Sequence, residues 1–180
     1  MKLMFASDIH GSAYYCRKMV KAYRKEEAGR LILLGDILYH GPRNDLPRDY
    51  APKEVIGMLN DMKEELCSVR GNCEAEVDQM VLEFPVLADY CMIVDGPRTI
   101  YASHGHVYHE ENLPPLKKGD VFIYGHTHVP RAEKFEGYTL LNPGSVSIPK
   151  EGSIPSYGVL KNGIFTIKGF EGEIVKEIQL

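Results

Sequence analysis

Short apolar runs recur along this chain, and each ends at a polar residue or a glycine. Leu3-Met4-Phe5-Ala6 and Leu31-Ile32-Leu33-Leu34 are continuous and of strand length, which predicts two buried strands. Between them Cys16, Met19, Val20 and Tyr23 recur at i, i+3, i+4 and i+7, one face of a helix, with Gly29 as its stop. The other face carries Arg17, Lys18, Lys21, Arg24 and Lys25 and reads as a solvated row. Strand, helix and strand make a βαβ unit, so the two strands are expected to be parallel.

A long polar loop, Tyr39 to Ala51, leaves the second strand and is read as the rim of a site. Pro52 then opens a helix whose apolar face is Val55, Leu59, Met62 and Leu66. Leu66-Cys67-Ser68-Val69 predicts a short strand, and a helix is expected from Glu74 to about Leu82. Met92-Ile93-Val94 and Thr99-Ile100-Tyr101-Ala102, joined at Asp95-Gly96, read as a hairpin. Val121-Phe122-Ile123-Tyr124 is another buried strand. Beyond it the period shortens, with strands at 133–135, 138–141, 157–160, 164–167 and 174–178 separated by Glu136-Gly137 and Lys161-Asn162-Gly163 turns. The pattern is α/β in the first half and mostly antiparallel β in the second, with no repeat or linker, and residues 1–180 are expected to form one domain.

Polar residues of one chemical kind follow five of the predicted strands. They are Asp8 with His10, Asp36, Asn72, His104, and His126 with His128. If the extended path continued past Gly125, period-two alternation would put His126 and His128 on one side. Ligands of open α/β sheets bind beyond the carboxyl ends of the strands. Each segment alone is ordinary turn or surface polarity, but together they hold two carboxylates, four imidazoles and an amide oxygen. That exceeds one closed tetrahedral site and suits two divalent ions sharing a carboxylate. The mixed nitrogen and oxygen set favours Mn, Zn, Fe, Ni or Co over Ca or Mg. Paired ions of this kind serve phosphate-ester hydrolysis.

Charge narrows the substrate. The net charge of −4 leaves no large basic face, so long nucleic acid is not expected and a small phosphoester is. No apolar run reaches membrane-spanning length, and the apolar start is too short for a signal segment. Cys16, Cys67, Cys73 and Cys91 show no paired spacing and are expected to be free thiols in the cytoplasm. Exposed strands in the second half leave a homo-oligomer open.

Asp8-Ile9-His10, Gly35-Asp36, Gly71-Asn72-Cys73-Glu74, Ser103-His104-Gly105-His106 and Gly125-His126-Thr127-His128 resemble, in order, the five blocks of the calcineurin-like metallophosphoesterases. The short chain, the Gly-Asn-Cys-Glu block and Asn142-Pro143-Gly144-Ser145 look most like the small YfcE-type phosphodiesterases. The resemblance covers nearly the whole chain and implies a four-layer αββα sandwich. It assigns Asp8, His10 and His128 to one ion and Asn72, His104 and His126 to another, with Asp36 bridging, and it makes Mn the foremost metal. It further implies attack on a phosphodiester by a hydroxide held between the ions, with Asp36, Asn72, Cys73 and His104 as the catalytic group. Asn72 would contact the phosphate, and His106 would contact it or only orient His104, although a plain edge histidine is an equal reading of His106. His40 and His109 read as loop surface, and Asn142 to Ser145 as a turn that buttresses the histidine loop.

Larger relatives carry histidine where this chain has Cys73. A thiol assists the leaving group less well than an imidazolium, which implies a preference for good leaving groups such as aryl phosphodiesters. A phosphomonoesterase or nucleotidase is the nearest alternative activity. A non-catalytic scaffold, as in the retromer subunit of this fold, is the alternative of another class.

Overall fold

Alternation within the first strand sets out the layers. The computed structural model describes residues 2–180. In β1 (Lys2–Ala6), Met4 and Ala6 face one way and Leu3 and Phe5 the other, and all four are buried. Helix α1 (Ala13–Glu26) leads to β2 (Arg30–Leu33), which lies parallel to β1 as the βαβ pattern requires. Next come α2 (Pro52–Asn60), β3 (Leu66–Ser68), α3 (Glu76–Val81) and the hairpin β4 (Tyr90–Asp95) with β5 (Arg98–Ser103). They are followed by β6 (Asp120–Ile123), β7 (Arg131–Lys134), β8 (Tyr138–Asn142), β9 (Ser156–Lys161), β10 (Ile164–Gly169) and β11 (Ile174–Gln179).

Two mixed sheets result, ordered β11-β10-β9-β1-β2-β3 and β4-β5-β6-β8-β7. Met4, Leu31 and Leu33 pack under Cys16, Met19 and Tyr23 of α1 and Val55 and Leu59 of α2. Leu3, Phe5 and Ile32 turn inward onto Ile100, Ala102, Val121, Ile123 and Leu141 of the second sheet. Burying these two faces at roughly 25 cal/mol per Å² of apolar surface is the main force holding the sheets together. The outer face of the second sheet, with Tyr101, Phe122, Tyr124 and Leu140, is covered by Tyr108, Leu113 and Leu116. That covering segment is not helical, because Pro114 and Pro115 remove two backbone donors and clash with a helical path.

Several boundaries differ from the sequence reading. Glu27, in the left-handed region at φ 50°, caps α1, so the helix stops before Gly29. The apolar row of α2 ends at Leu59, and Met62 and Leu66 lie beyond it, before and after a short 3-10 turn at Lys63–Glu65. The predicted division into an α/β half and an antiparallel half also dissolves in three dimensions. β9 to β11 extend the sheet of β1 to β3, and β8 pairs with β6 in parallel.

What positions the site is the strand direction. β1, β2 and β3 run parallel in one sheet, as do β5 and β6 in the other, so their carboxyl ends gather at one edge of the sandwich.

Candidate metal centre

The five loops leaving that edge interlock through their backbones. Asp8 N donates to Gly35 O (3.1 Å), His10 N to Asp36 O (2.9 Å) and Gly11 N to Ile37 O (2.8 Å), tying the loop after β1 to the loop after β2. Gly125 N donates to His104 O (2.8 Å), which ties the loops after β5 and β6. The turn after β8 supports both sheets' loops. Asn142 Nδ2 donates to Gly125 O (2.8 Å) and Thr127 Oγ1 (3.0 Å), while Ser145 Oγ and Ser147 Oγ both donate to Asp8 O at 3.0 Å. Asn142 to Ser145 is therefore a buttress of the histidine loop.

These ties hold five of the candidate residues in the left-handed backbone region. Asp8, His10, Asp36, His126 and His128 have φ of 60°, 49°, 54°, 63° and 62°. L-residues avoid that region, and such strain persists where surrounding structure over-determines it. It also explains why His126 and His128 are not alternating strand residues: β6 ends at Ile123, and both lie in the loop beyond. The two rings join different donor groups.

The first group is Asp8, His10 and His128, and the second is Asp36, His104 and His126; His10, Asp36 and Cys73 form a third that overlaps the others. Within each group the donor atoms lie within 4.8 Å of one another. Asp8 Oδ1 is 3.2 Å from His128 Nε2, and the two ring nitrogens His10 Nε2 and His128 Nε2 face each other at 3.3 Å. His104 Nε2 stands 3.2 Å from His126 Nδ1, 3.4 Å from Asp36 Oδ2 and 3.1 Å from the amide oxygen of Asn72. Asp36 Oδ2 is also 3.7 Å from His10 Nε2, so this one carboxylate reaches both groups.

The far side of three rings fixes the tautomer of each neutral imidazole. His10 Nδ1 donates to Tyr39 O (2.7 Å), His104 Nδ1 to Leu34 O (2.6 Å) and His128 Nδ1 to Ile148 O (2.6 Å). A carbonyl only accepts, so each Nδ1 carries the hydrogen and each neutral ring turns a bare Nε2 lone pair inward. Lone pairs facing one another at 3.3 Å, beside a buried Asp8 Oδ1 without a hydrogen-bond partner, need positive charge between them. With protons alone, the demand falls on His104. Burial opposes its charge, but the Asp36 hydrogen bond and the Asp8 and Asp36 charges push it up to about 9. At Asp8 burial is likewise overcome by the His10 and His128 rings, and its carboxyl sits well below the usual range. Burial and the neighbouring His104 press His126 down to about 4. The donor set, imidazole and carboxylate with second partners already in place, fits divalent metal ions.

Two residues at this edge have roles the sequence did not assign. Buried Glu74 accepts from Asp36 N (2.9 Å), Ile37 N (2.7 Å) and Gly71 N (2.5 Å), so it clamps the loop of Asp36 to the loop of Asn72. Gly71 permits that closeness, because a Cβ there would collide with Asp36 Oδ1, Asp36 N and Glu74 Oε2. The only sign in the sequence was Glu74's place in the Gly-Asn-Cys-Glu block, and its partners are backbone groups that no pattern displays.

Cys73 sits between the donor groups. Its N donates to Asp36 Oδ1 (2.9 Å) and its Sγ to Asp36 Oδ2 (3.4 Å). Burial, then the Asp36 charge, raise the thiol far above its ordinary value, so it stays protonated as a weak donor to Asp36. Asn72 is exposed at the mouth. His106 lies beside His104, ring centroids 5.4 Å apart, with its Nδ1 buried and unpartnered. It does not line the cleft above the donors, whose walls are Asp36, Asn72, Cys73, His126 and His128 with Gly41, Arg43 and Lys150, enclosing about 370 Å³.

Residues 1–162 match the family model of the calcineurin-like phosphoesterase superfamily domain. The chain is 47% identical over 167 residues to phosphodiesterase YfcE of Escherichia coli strain K12, covering 93% of this chain and 91% of that one. A solved structure of YfcE, described as a phosphoesterase from E. coli, superposes with a TM-score of 0.97 at 44% identity over 99% of both chains. Vps29 of Entamoeba histolytica, solved in complex with zinc, shares the fold alone, with a TM-score of 0.64 at 18% identity over 99% of this chain and 98% of that one.

Proposed function

The chain belongs to the calcineurin-like phosphoesterase superfamily, and from that premise we propose that it is a phosphodiesterase hydrolysing small phosphodiesters at the edge where its two sheets meet. Asp8, His10 and His128 would hold one divalent ion, Asn72, His104 and His126 a second, and Asp36 would serve both. The observation that carries this reading is the position of Asp36, whose carboxylate lies 3.4 Å from His104 Nε2 of one donor group and 3.7 Å from His10 Nε2 of the other. Ions bound there would polarise phosphoryl oxygens and bring water within reach of deprotonation near neutral pH. Mn is the metal proposed, and the cytoplasm the location.

The chain's own residues prepare the site. Tyr39, Leu34 and Ile148 carbonyls keep the rings of His10, His104 and His128 in the metal-binding tautomer. Glu74 and Gly71 set the distance between Asp36 and Asn72. The amide of Asn72, exposed at the mouth and donating to Cys73 Sγ (3.3 Å), would meet a phosphoryl oxygen. Cys73 offers a protonated thiol of low acidity, so leaving groups must depart largely unaided. The scaffold alternative is not favoured, because all seven donors are present and a cluster of facing lone pairs and buried carboxylates is costly to keep without a ligand.

The test is hydrolysis of bis(p-nitrophenyl) phosphate. Activity is expected with added Mn, abolished by EDTA, and lowered at least about a hundredfold in His128→Ala. Across substituted phenyl esters the rate is expected to fall as leaving-group pKa rises. Absence of Mn-dependent turnover on diesters, or faster turnover of p-nitrophenyl phosphate itself, would overturn the diesterase assignment.

A further inference from the structure

The cleft carries two cations to which the reading above gives no task. Arg43 and Lys150 both line the cavity above Asp36, Asn72, Cys73, His126 and His128. Both are exposed, and among the described residues neither side chain makes a hydrogen bond or an ion pair. Their neighbours are engaged: Arg17 pairs with Asp49 and Glu54, and Arg48 lies 3.7 Å over the Tyr14 ring.

The backbones of both residues are fixed. Arg43 stands in the turn Gly41 to Asn44, closed by Asn44 N to Gly41 O (3.3 Å) and Asn44 Nδ2 to His40 O (2.9 Å). A Cβ on Gly41 would lie 3.6 Å from Cys73 Sγ, so this turn rests against the Asp36 and Cys73 side of the cleft. Lys150 N donates to His128 O (3.3 Å), and Lys150 O accepts from Ser153 N (3.0 Å) and Ser153 Oγ (2.6 Å), which anchors Lys150 to the His128 side. Two free cationic heads thus rise from anchored positions on separate segments of the rim.

The rim cations exceed what the scissile phosphate needs. Two divalent ions, the attacking hydroxide and the carboxylates of Asp8, Asp36 and Glu74 would sum to zero, so a monoanionic phosphodiester would offset only one of the two rim cations and leave one positive charge without a partner. We propose that Arg43 and Lys150 hold a second anionic group of the substrate, a phosphate or carboxylate on an arm of the diester, so that the enzyme prefers phosphodiesters with a further negative charge. The guanidinium offers paired donors to an oxyanion and the ammonium a compact charge. The proposal rests on the phosphodiesterase reading of this same cleft.

Two probes that differ by one phosphate test it: deoxythymidine 5′-(p-nitrophenyl phosphate) with either a 3′-hydroxyl or a 3′-phosphate. The 3′-phosphorylated probe is expected to show kcat/KM about tenfold higher, through KM, with the ratio falling toward one in Arg43→Gln/Lys150→Gln and partly retained in Arg43→Lys. Equal values for the two probes, or a ratio unchanged in the double variant, overturn the proposal. Calorimetric binding of deoxythymidine 3′,5′-bisphosphate against the 5′-monophosphate, on the Mn-loaded protein, gives a readout free of turnover. If neither ester is hydrolysed but the bisphosphate binds tighter in the wild type alone, the phosphodiesterase reading fails and the anion site stands. Equal binding of both nucleotides overturns the anion site.

Discussion

Replacing Asp36 by asparagine is expected to lower Mn-supported hydrolysis of bis(p-nitrophenyl) phosphate by about two to three orders of magnitude, or ~3–4 kcal/mol of transition-state stabilisation. Asparagine suits the left-handed backbone at Asp36, φ 54°, better than alanine does, so the fold is retained. It keeps one amide oxygen but loses the charge and the second carboxylate oxygen with which Asp36 reaches both His10 and His104. Elemental analysis after dialysis should find metal content below that of the wild type, with a thermal midpoint changed by only a few degrees. Wild-type turnover in the variant would remove Asp36 from the chemistry.

Glu74→Ala is expected to act through the fold and the site together. The side chain satisfies three buried backbone donors, at Asp36, Ile37 and Gly71. Burial and the neighbouring Asp36 charge raise its pKa, and the three N–H groups work against that rise. Orphaning buried donors costs roughly 1–3 kcal/mol each, and partial hydration of the space left by the side chain reduces the sum to about 3–5 kcal/mol. For a chain of this size that is a fall in Tm of roughly 10–15 °C, readable by calorimetry. Activity should fall more steeply than folding accounts for, because Asp36 and Asn72 lose their common anchor. Glu74→Gln keeps one accepting oxygen and should fall between the two. A Tm within a degree of the wild type for Glu74→Ala would contradict the clamp.

Much of this was legible along the chain for a specific reason. β1, β2 and β6 are buried on both faces, so they show as unbroken apolar runs, and the residues that follow them had to lie at strand ends. The donors were recognisable because their kinds agree. What the pattern hid is what long-range contact decides. No local signal tells β9 to pair with β1 or β8 to lie parallel to β6. The left-handed turns at Asp8, His10, Asp36, His126 and His128 are imposed by backbone ties between loops far apart in sequence, which period-two alternation does not describe. The roles of Glu74 and Gly71 carry no local signal for the same reason, since both act on the loop of Asp36, far away in sequence. The basic row of α1 read as solvated does remain outward on most positions, although Lys18 reaches Glu171 across the surface.

The shared carboxylate is the centre of the account, and anomalous X-ray scattering from a crystal soaked in Mn tests it most directly. Two peaks about 3.5–4 Å apart are expected, one bounded by Asp8, His10 and His128, the other by Asn72, His104 and His126, with the Asp36 carboxylate between them. A single peak at full occupancy, or peaks that leave Asp36 without a metal contact, would contradict it.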